Sequence, residues 1–368
     1  MRALVCPTAF KESLSASRVA DALAAGVRAA RPDAVVRVLP VSDGGPGLIE
    51  AIQRVHGGEV RVVEVRGPLV GVVPARSLWL PDGEVVVEAA DACGLHLVPP
   101  AARDPLRAST RGVGELVRWC LAQGAASLRI GLGGSATVDV GTGMATALGF
   151  RFLDASGTVL PAGGGALVRL SRIVPPRAPF DGPGTAGSAA PPEVIAIADV
   201  RSPLLGADGA ARRFAPQKGA TPGQVEVLEA GLATLAERVR LDLAFGPAGD
   251  VADLPGAGAA GGLGAGCAAF LGATIVPGSE WVLDGIGFDE ALGDADLVVT
   301  GEAEYDATSG LGKVVWEIVR RAGRAGVPVV LTCARFRGNA LPGVIVAEGD
   351  GRWLEPSDLS RMVADALS

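Results

Sequence analysis

Leu128-Arg129-Ile130 runs into Gly131-Leu132-Gly133-Gly134-Ser135-Ala136-Thr137-Val138-Asp139. A short strand-like stretch empties into a glycine-rich loop carrying Ser, Thr and Asp. The chain then turns helical, with Met144, Ala147 and Leu148 at helical spacing. Such a strand–loop–helix unit offers backbone N–H groups to an anion, because the first N–H groups of a helix are unpaired and its dipole is positive there. The loop predicts an anion site, facing either a phosphate or a carboxylate, within an α/β fold.

Both chain ends extend this pattern. At the N-terminus, Ala3–Cys6 reads as a strand and Ser15 as the cap of a helix with Val19, Leu23, Val27 and Ala30 on its apolar face. Val35–Leu39 follows as a strand and the region near Leu48–Val55 as a helix. Near the C-terminus, Leu297–Thr300 reads as a strand. A helix there turns Val314, Val315, Ile318, Val319 and Ala322 inward and pairs Glu317 with Arg321, and Val329–Leu331 is the next strand. The central region carries the strand-like Val85–Glu88 and Val194–Ala198, and two Pro/Gly-rich stretches, Pro175–Pro192 and Phe245–Gly262, expected as loops. Strands alternating with helices predict α/β throughout.

Composition narrows the function. The chain has 368 residues, which suggests two domains, and 49% of them are apolar. Aromatics make up only 4%, so the core is built of small and branched aliphatics, which suits parallel sheets covered by helices. A formal charge of −7 argues against a nucleic-acid surface. The five cysteines, Cys6, Cys93, Cys120, Cys267 and Cys333, are scattered and form no CxxC pair, so they are expected as buried free thiols in a reducing compartment. With only His56 and His96, a histidine-rich metal site is excluded and histidine acid–base catalysis is disfavoured. No basic-plus-apolar leader precedes Ala3, and no apolar run approaches the roughly 18 residues of a membrane span; the expectation is a soluble cytoplasmic protein.

In an open α/β sheet, ligands sit beyond the carboxyl ends of strands, so the loops that follow strands carry the chemistry. The first holds Thr8, Lys11 and Ser13. The second is Ser42-Asp43-Gly44-Gly45-Pro46-Gly47, and the third is the Gly131 loop. The fourth begins at Asp199, and the fifth runs from Thr300-Gly301-Glu302 through Asp306 to Gly312-Lys313. Each offers a carboxylate, hydroxyl or lysine, several beside glycine. One such loop is an ordinary turn or cap; five together suit phosphoryl transfer. That reaction needs cations, carboxylate-held Mg2+, backbone N–H groups and a carboxylate near the attacking hydroxyl, and it does not need histidine.

Three tempting strings carry less. Gly256–Gly261 matches GxGxxG, but Asp253-Leu254-Pro255 precedes it instead of a strand, so close helix packing or an anion-binding turn is the better reading. Gly310-Leu311-Gly312-Lys313-Val314 lacks the spacing and the Ser/Thr of a Walker A loop. The Gly131 loop resembles the GLGSSA string of the galactokinase/homoserine kinase superfamily, which the rest of the chain does not follow.

Taken in order, PTAFKESLSA (7–16), SDGGPG (42–47), GLGGSATVDVGTGMATALG (131–149), DVRSPLLG (199–206), FAPQKGATP (214–222), PGAGAAGGLG (255–264) and the Thr300–Lys313 segment resemble the bacterial type I glycerate kinase family. The resemblance runs from Leu4 to about Leu331 and includes Glu88–Glu115, with Ala108–Glu115 inside it. It implies ATP-dependent phosphorylation of D-glycerate with Mg2+, commonly to 2-phosphoglycerate. It also implies two α/β domains: a discontinuous Rossmann-like domain from residues 1–72 and 285–368, and an inserted domain from residues 73–284, with the active-site cleft between them. The nearest alternatives are a kinase of another small sugar acid or polyol on the same fold, a non-enzymatic metabolite-binding protein and a dinucleotide enzyme.

On that resemblance Asp199, Asp306 and Lys11 are the expected catalytic residues, with Asp199 as the base near the hydroxyl. Asp43, Gly44, Gly45, Gly133, Gly134, Ser135, Lys218, Gly301 and Lys313 are expected to bind substrate or phosphate, and Glu302 and Asp306 to serve Mg2+ or the nucleotide. For Lys11 a solvated loop lysine, for Asp43 a turn, for Asp139 a helix cap and for Lys218 plain surface cover remain open as alternatives. Tyr305 reads as packing. The chain departs from the family pattern at Thr8, Glu12, Pro46, Val138, Ser202, Glu304 and Leu311, where a family cation becomes an anion at Glu304. These departures bear on substrate identity and regiospecificity. Oligomeric state is not legible.

Overall fold

The structure, a computed structural model, describes residues 1–10, 14–177, 192–243, 250–305, 313–339, 341–351 and 354–368. The chain forms two compact units. One comprises Met1–Asp43, Glu50–Gly57 and Gly278–Ser368; the other comprises Gly44–Ile49 and Gly58–Pro277.

The first unit is built on a five-stranded parallel sheet in the order Val344–Glu348, Val329–Cys333, Leu297–Gly301, Arg2–Val5, Val35–Val38. Leu297–Gly301 and Val329–Cys333 are buried along their whole length, as continuous aliphatic runs are when helices cover both faces of a sheet. The helix Ala16–Ala30 starts where Ser15 predicts: the Ser15 hydroxyl accepts from the Arg18 N–H at 3.4 Å. Its buried Val19, Leu23 and Val27 share a core with Leu359 and Val363 of the helix Pro356–Ala366. The helix Val314–Ala325 buries the expected aliphatic face, and the Arg321 Nε–H donates to Glu317 Oε1 at 2.8 Å. The strand order reverses direction between Arg2–Val5 and Leu297–Gly301, so the loops that leave these two strands lie at the switch point where α/β sheets bind ligands.

The second unit has a six-stranded sheet in the order Thr274–Pro277, Glu193–Ala198, Ser127–Gly131, Glu84–Glu88, Val72–Trp79, Glu59–Arg66. The first four strands are parallel and the last two antiparallel. The carboxyl ends of three parallel strands therefore deliver Glu88, the Gly131 loop and Asp199 to one edge of the sheet. The chain crosses between units at Gly57/Gly58 and Pro277/Gly278, where the sequence suggests residues 72/73 and 284/285. The earlier crossing follows from the hairpin Glu59–Trp79, whose second strand pairs with Glu84–Glu88 through Ser77 and Val87. Gly44–Ile49 also packs with the second unit.

Of the two expected Pro/Gly-rich loops, residues 178–191 and 244–249 lie outside the described residues. The end of the second stretch is not a surface loop. The helical span Ala259–Leu271 begins there, with Ala260, Gly261 and Gly262 left-handed, because the segment is pressed into the core. The GxGxxG string thus closes a buried turn: Gly258 sits against the Pro203 carbonyl and Gly264 against that of Gly256. All five cysteines are free and buried, as their isolation in sequence predicts. No described helix is long and apolar enough to cross a membrane.

Candidate active site

In the second unit three loops converge. The Gly133 N–H donates to the Gly44 carbonyl at 3.3 Å, and the Leu132 N–H to the Ile197 carbonyl at 3.0 Å. A Cβ on Gly133 would fall 2.5 Å from the Gly45 Cα and 3.3 Å from Asp199 Oδ2. Only glycine allows so close an approach, which is why this loop alternates small residues. The half-buried Asp199 carboxylate accordingly lies over the Gly133 backbone, while Gly134 is exposed and Ser135 buried. The loop is zipped on its other side to Cys93–Leu95, through Leu95 N–H to the Gly134 carbonyl and Ala136 N–H to the Cys93 carbonyl, both 2.8 Å.

Lys218 is the charged centre of this arrangement. It is 3% exposed, which removes the surface-cover alternative. Its Nζ donates to Ser135 Oγ at 2.9 Å and to the Thr137 carbonyl at 2.7 Å. An ammonium has three donors, so these two bonds leave capacity for a ligand oxygen. Burial pushes the Lys218 pKa down to about 8, opposed by the charges of Asp199 and Asp139. The Cys93 thiol, buried beside it, is pushed up to about 12 and is chemically inert.

Asp139 plays a different part. Its carboxylate accepts from Thr110 N–H at 2.9 Å, Thr110 Oγ1 at 3.0 Å and Gly143 N–H at 3.2 Å on one oxygen, and from Gly141 N–H at 3.2 Å on the other. It caps the helix Thr142–Ala147 and ties it to Thr110. Burial raises its pKa, and these hydrogen bonds work against the rise. A second carboxylate, Glu88, is 1% exposed and accepts from Gly47 N–H at 3.1 Å and Ile49 N–H at 2.9 Å, with Arg76 Nη2 at 3.4 Å. It fixes the Gly44–Gly47 loop from beneath.

In the first unit, Gly301 ends its strand and its carbonyl accepts from the Thr8 N–H at 3.0 Å and Thr8 Oγ1 at 3.1 Å. Glu302, 8% exposed, faces Lys313 at 3.7 Å. Lys313 opens the helix Val314–Ala325. Tyr305 is buried and stacks on Phe336 with ring centroids 5.2 Å apart, so it packs as expected. Asp43, which closes the first segment of this unit, is half-buried. Lys11 and Asp306 lie outside the described residues.

The structure therefore gathers Gly44, Gly45, Gly133, Ser135, Asp199 and Lys218 in one unit, and Gly301, Glu302 and Lys313 in the other. Sequence reasoning placed Glu88 and Thr110 in a family-like segment but gave neither a role in the site. Their signals were present: a glutamate closing a run of three valines, and a threonine directly before a helix.

A family model described as "Glycerate kinase family" matches residues 3–343. The chain belongs to the glycerate kinase family. Glycerate kinase of Halalkalibacterium halodurans is 40% identical over 332 residues, covering 89% of this chain and 83% of that protein. Glycerate 2-kinase of Escherichia coli K12 is 41% identical over 331 residues, covering 90% and 84%. A crystal structure from Salmonella typhimurium LT2 that carries the provisional name glycerate kinase 2 superposes with a TM-score of 0.79 at 38% identity, over 100% of this chain and 97% of that one. The buried lysine, the glycine-rich loops and the strand-end carboxylates thus occur together in a kinase.

Proposed function

We propose that this kinase transfers the terminal phosphoryl group of ATP to D-glycerate in a Mg2+-assisted reaction, giving 2-phosphoglycerate. The observation that carries the reading is the buried Lys218 ammonium, held on Ser135 and Thr137 beside the Asp199 carboxylate and the Gly133 backbone. A cation and N–H groups stabilise the charge that spreads over a transferring phosphoryl group or a substrate carboxylate. Asp199, half-buried at a strand end, accepts the proton of the attacking hydroxyl. Gly44, Gly45 and Gly134 add backbone contacts, and Asp43 orients the loop that bears them. The 2-position is supported by the name of the Escherichia coli relative.

Glu302, Gly301 and Lys313 form the second group, for which we propose a role on the nucleotide side. Among the described residues no three His, Cys, Asp or Glu side chains cluster to hold a metal ion. Mg2+ needs no such cluster, since it keeps several waters and is bound through one or two carboxylates and the phosphates of its nucleotide. Glu302 is the described carboxylate that fits, and Mg2+ bound there would neutralise charge on the phosphates. Lys11 and Asp306 enter this proposal on the family resemblance alone.

The test is an ADP-release assay with purified protein, ATP, Mg2+ and D-glycerate, coupled in parallel to enolase, which accepts 2-phosphoglycerate but not the 3-isomer. ADP formation dependent on D-glycerate with enolase turnover is the expected result. Turnover of another hydroxy acid but not D-glycerate would overturn the substrate, and turnover silent to enolase would overturn the product.

A further inference from the structure

The Gly131 loop leaves through an unusual backbone. Val140, at φ 52°, and Ala260, at φ 53°, are the two non-glycine residues with positive φ among the described residues. For a β-branched side chain this region is strongly disfavoured, so something must hold Val140 there. The two strained segments face each other: the Val140 N–H donates to the Gly261 carbonyl at 3.2 Å. Gly261 lies so close that a Cβ would stand 1.9 Å from the Thr137 carbonyl oxygen, the same oxygen that accepts from Lys218.

The holding force is visible one residue earlier. Asp139 reaches forward to the Gly141 and Gly143 N–H groups, and it can reach both only if the chain turns sharply at Val140. An ordinary cap would stop there. Asp139 also binds the N–H and hydroxyl of Thr110, 29 residues away. Thr110 precedes the helix Arg111–Ala122, but its side chain does not cap that helix. Its hydroxyl instead donates to Asp139 and accepts from the Met144 N–H at 3.0 Å. Two helix N-termini thus share one buried carboxylate, whose charge complements both dipoles.

We infer that Asp139 and Thr110 are positioning residues that hold Val140 left-handed and thereby preset the glycine-rich loop, with Ser135, the Thr137 carbonyl and Lys218, for phosphoryl transfer. The inference rests on the function proposed above. Neither residue touches substrate; both act through the loop.

Thr110→Val removes the hydroxyl at nearly constant volume, and Thr110→Ser restores it. Thr110→Val is expected to lower kcat by about 10- to 100-fold, as small misplacements of reacting groups do. KM for ATP and glycerate should stay within about threefold, the pattern of an interaction felt in the transition state. Thr110→Ser should recover most of the loss. Hydrogen exchange of the 131–141 peptide, measured without substrates, should be faster in Thr110→Val and return toward wild type in Thr110→Ser. Asp139→Asn, which leaves one acceptor oxygen for four donors, should be more severe in both readouts; if it does not fold, the Thr110 pair still decides. A folded Thr110→Val with wild-type kcat, or with lowered kcat but unchanged exchange at 131–141, overturns the inference. Wild-type protein that phosphorylates no glycerate overturns the proposed function instead, and the exchange measurement then still decides whether Thr110 holds the loop.

Discussion

The loop after the strand Ser127–Gly131, with Lys218 docked on it from a distant segment, and the segment after the strand Leu297–Gly301 bring together the same materials: a strand end, glycine, a carboxylate and a lysine. Their states differ. Lys218 is buried, with two hydrogen bonds of 2.9 and 2.7 Å to the loop it serves. Lys313 has a side chain 31% exposed and stands 3.7 Å from Glu302. The first lysine is set in place by the fold before any ligand arrives. The second is partly exposed and stands farther from its buried partner Glu302, so a ligand can reposition it more readily than Lys218. Groups fixed in advance stabilise a transition state without reorganising, so the larger effects on catalysis belong to the second unit.

The largest loss is expected at Asp199. Asp199→Asn keeps the shape over Gly133 but removes the base, and general-base catalysis contributes about 10²–10⁴-fold. Single-turnover phosphorylation should slow by that factor. Because Asp199 is only half-buried, the melting temperature should change little. Turnover within about tenfold of wild type would move the base elsewhere, and with it the centre of the comparison.

Lys218 comes next and gives a pH signature. Burial, opposed by Asp199 and Asp139, holds its pKa at about 8 instead of 10.5. The ammonium that the loop needs is therefore lost at mildly alkaline pH, and kcat/KM should fall above pH about 8. Lys218→Arg keeps its charge at every accessible pH. It should be slower overall, by roughly 10-fold or more given its altered geometry, yet lack that alkaline limb. The sign for stability follows from the same depressed value. Between about pH 8 and 10.5 the unfolded chain holds a proton that the folded chain has released. This group's burial penalty, full below that window, therefore shrinks as pH rises through it. A limb that persists unchanged in Lys218→Arg would assign it to another group.

How much of this could be read from the sequence depends on whether a feature is local. The strand–loop–helix at Gly131, the Ser15 cap and the Glu317–Arg321 pair depend on neighbours in sequence, and the residues sufficed to find them. Lys218 sits in a short polar stretch, Pro216-Gln217-Lys218, that looks like surface. Its burial comes from Ser135 and Thr137, more than 80 residues earlier. The roles of Glu88 and Thr110 were missed for the same reason, since their partners at Gly47, Ile49 and Asp139 lie 29 to 41 residues away. The early crossing at Gly57 turns on which strand Val72–Trp79 pairs with, and alternating aliphatic residues do not encode a partner.

The smallest effects on catalysis are expected at the Glu302–Lys313 pair. Lys313 is partly in water but Glu302 is buried, so Lys313→Ala removes a cation 3.7 Å from a buried carboxylate and should lower the melting temperature measurably. Its proposed work is on the nucleotide, where removing a single charge near solvent corresponds to roughly a 3- to 10-fold rise in KM for ATP. The kcat should stay close to wild type, because uniform binding lowers KM without raising the chemical rate. The effect should also fade in high salt, whereas that of Lys218 should not, since buried charges are screened far less than exposed ones. If Lys313→Ala instead lowers kcat as far as Lys218→Arg does, the exposed lysine is the one that meets the transferring phosphoryl group. Lys218 would then be a brace for the loop, and the ordering of the two regions would be reversed.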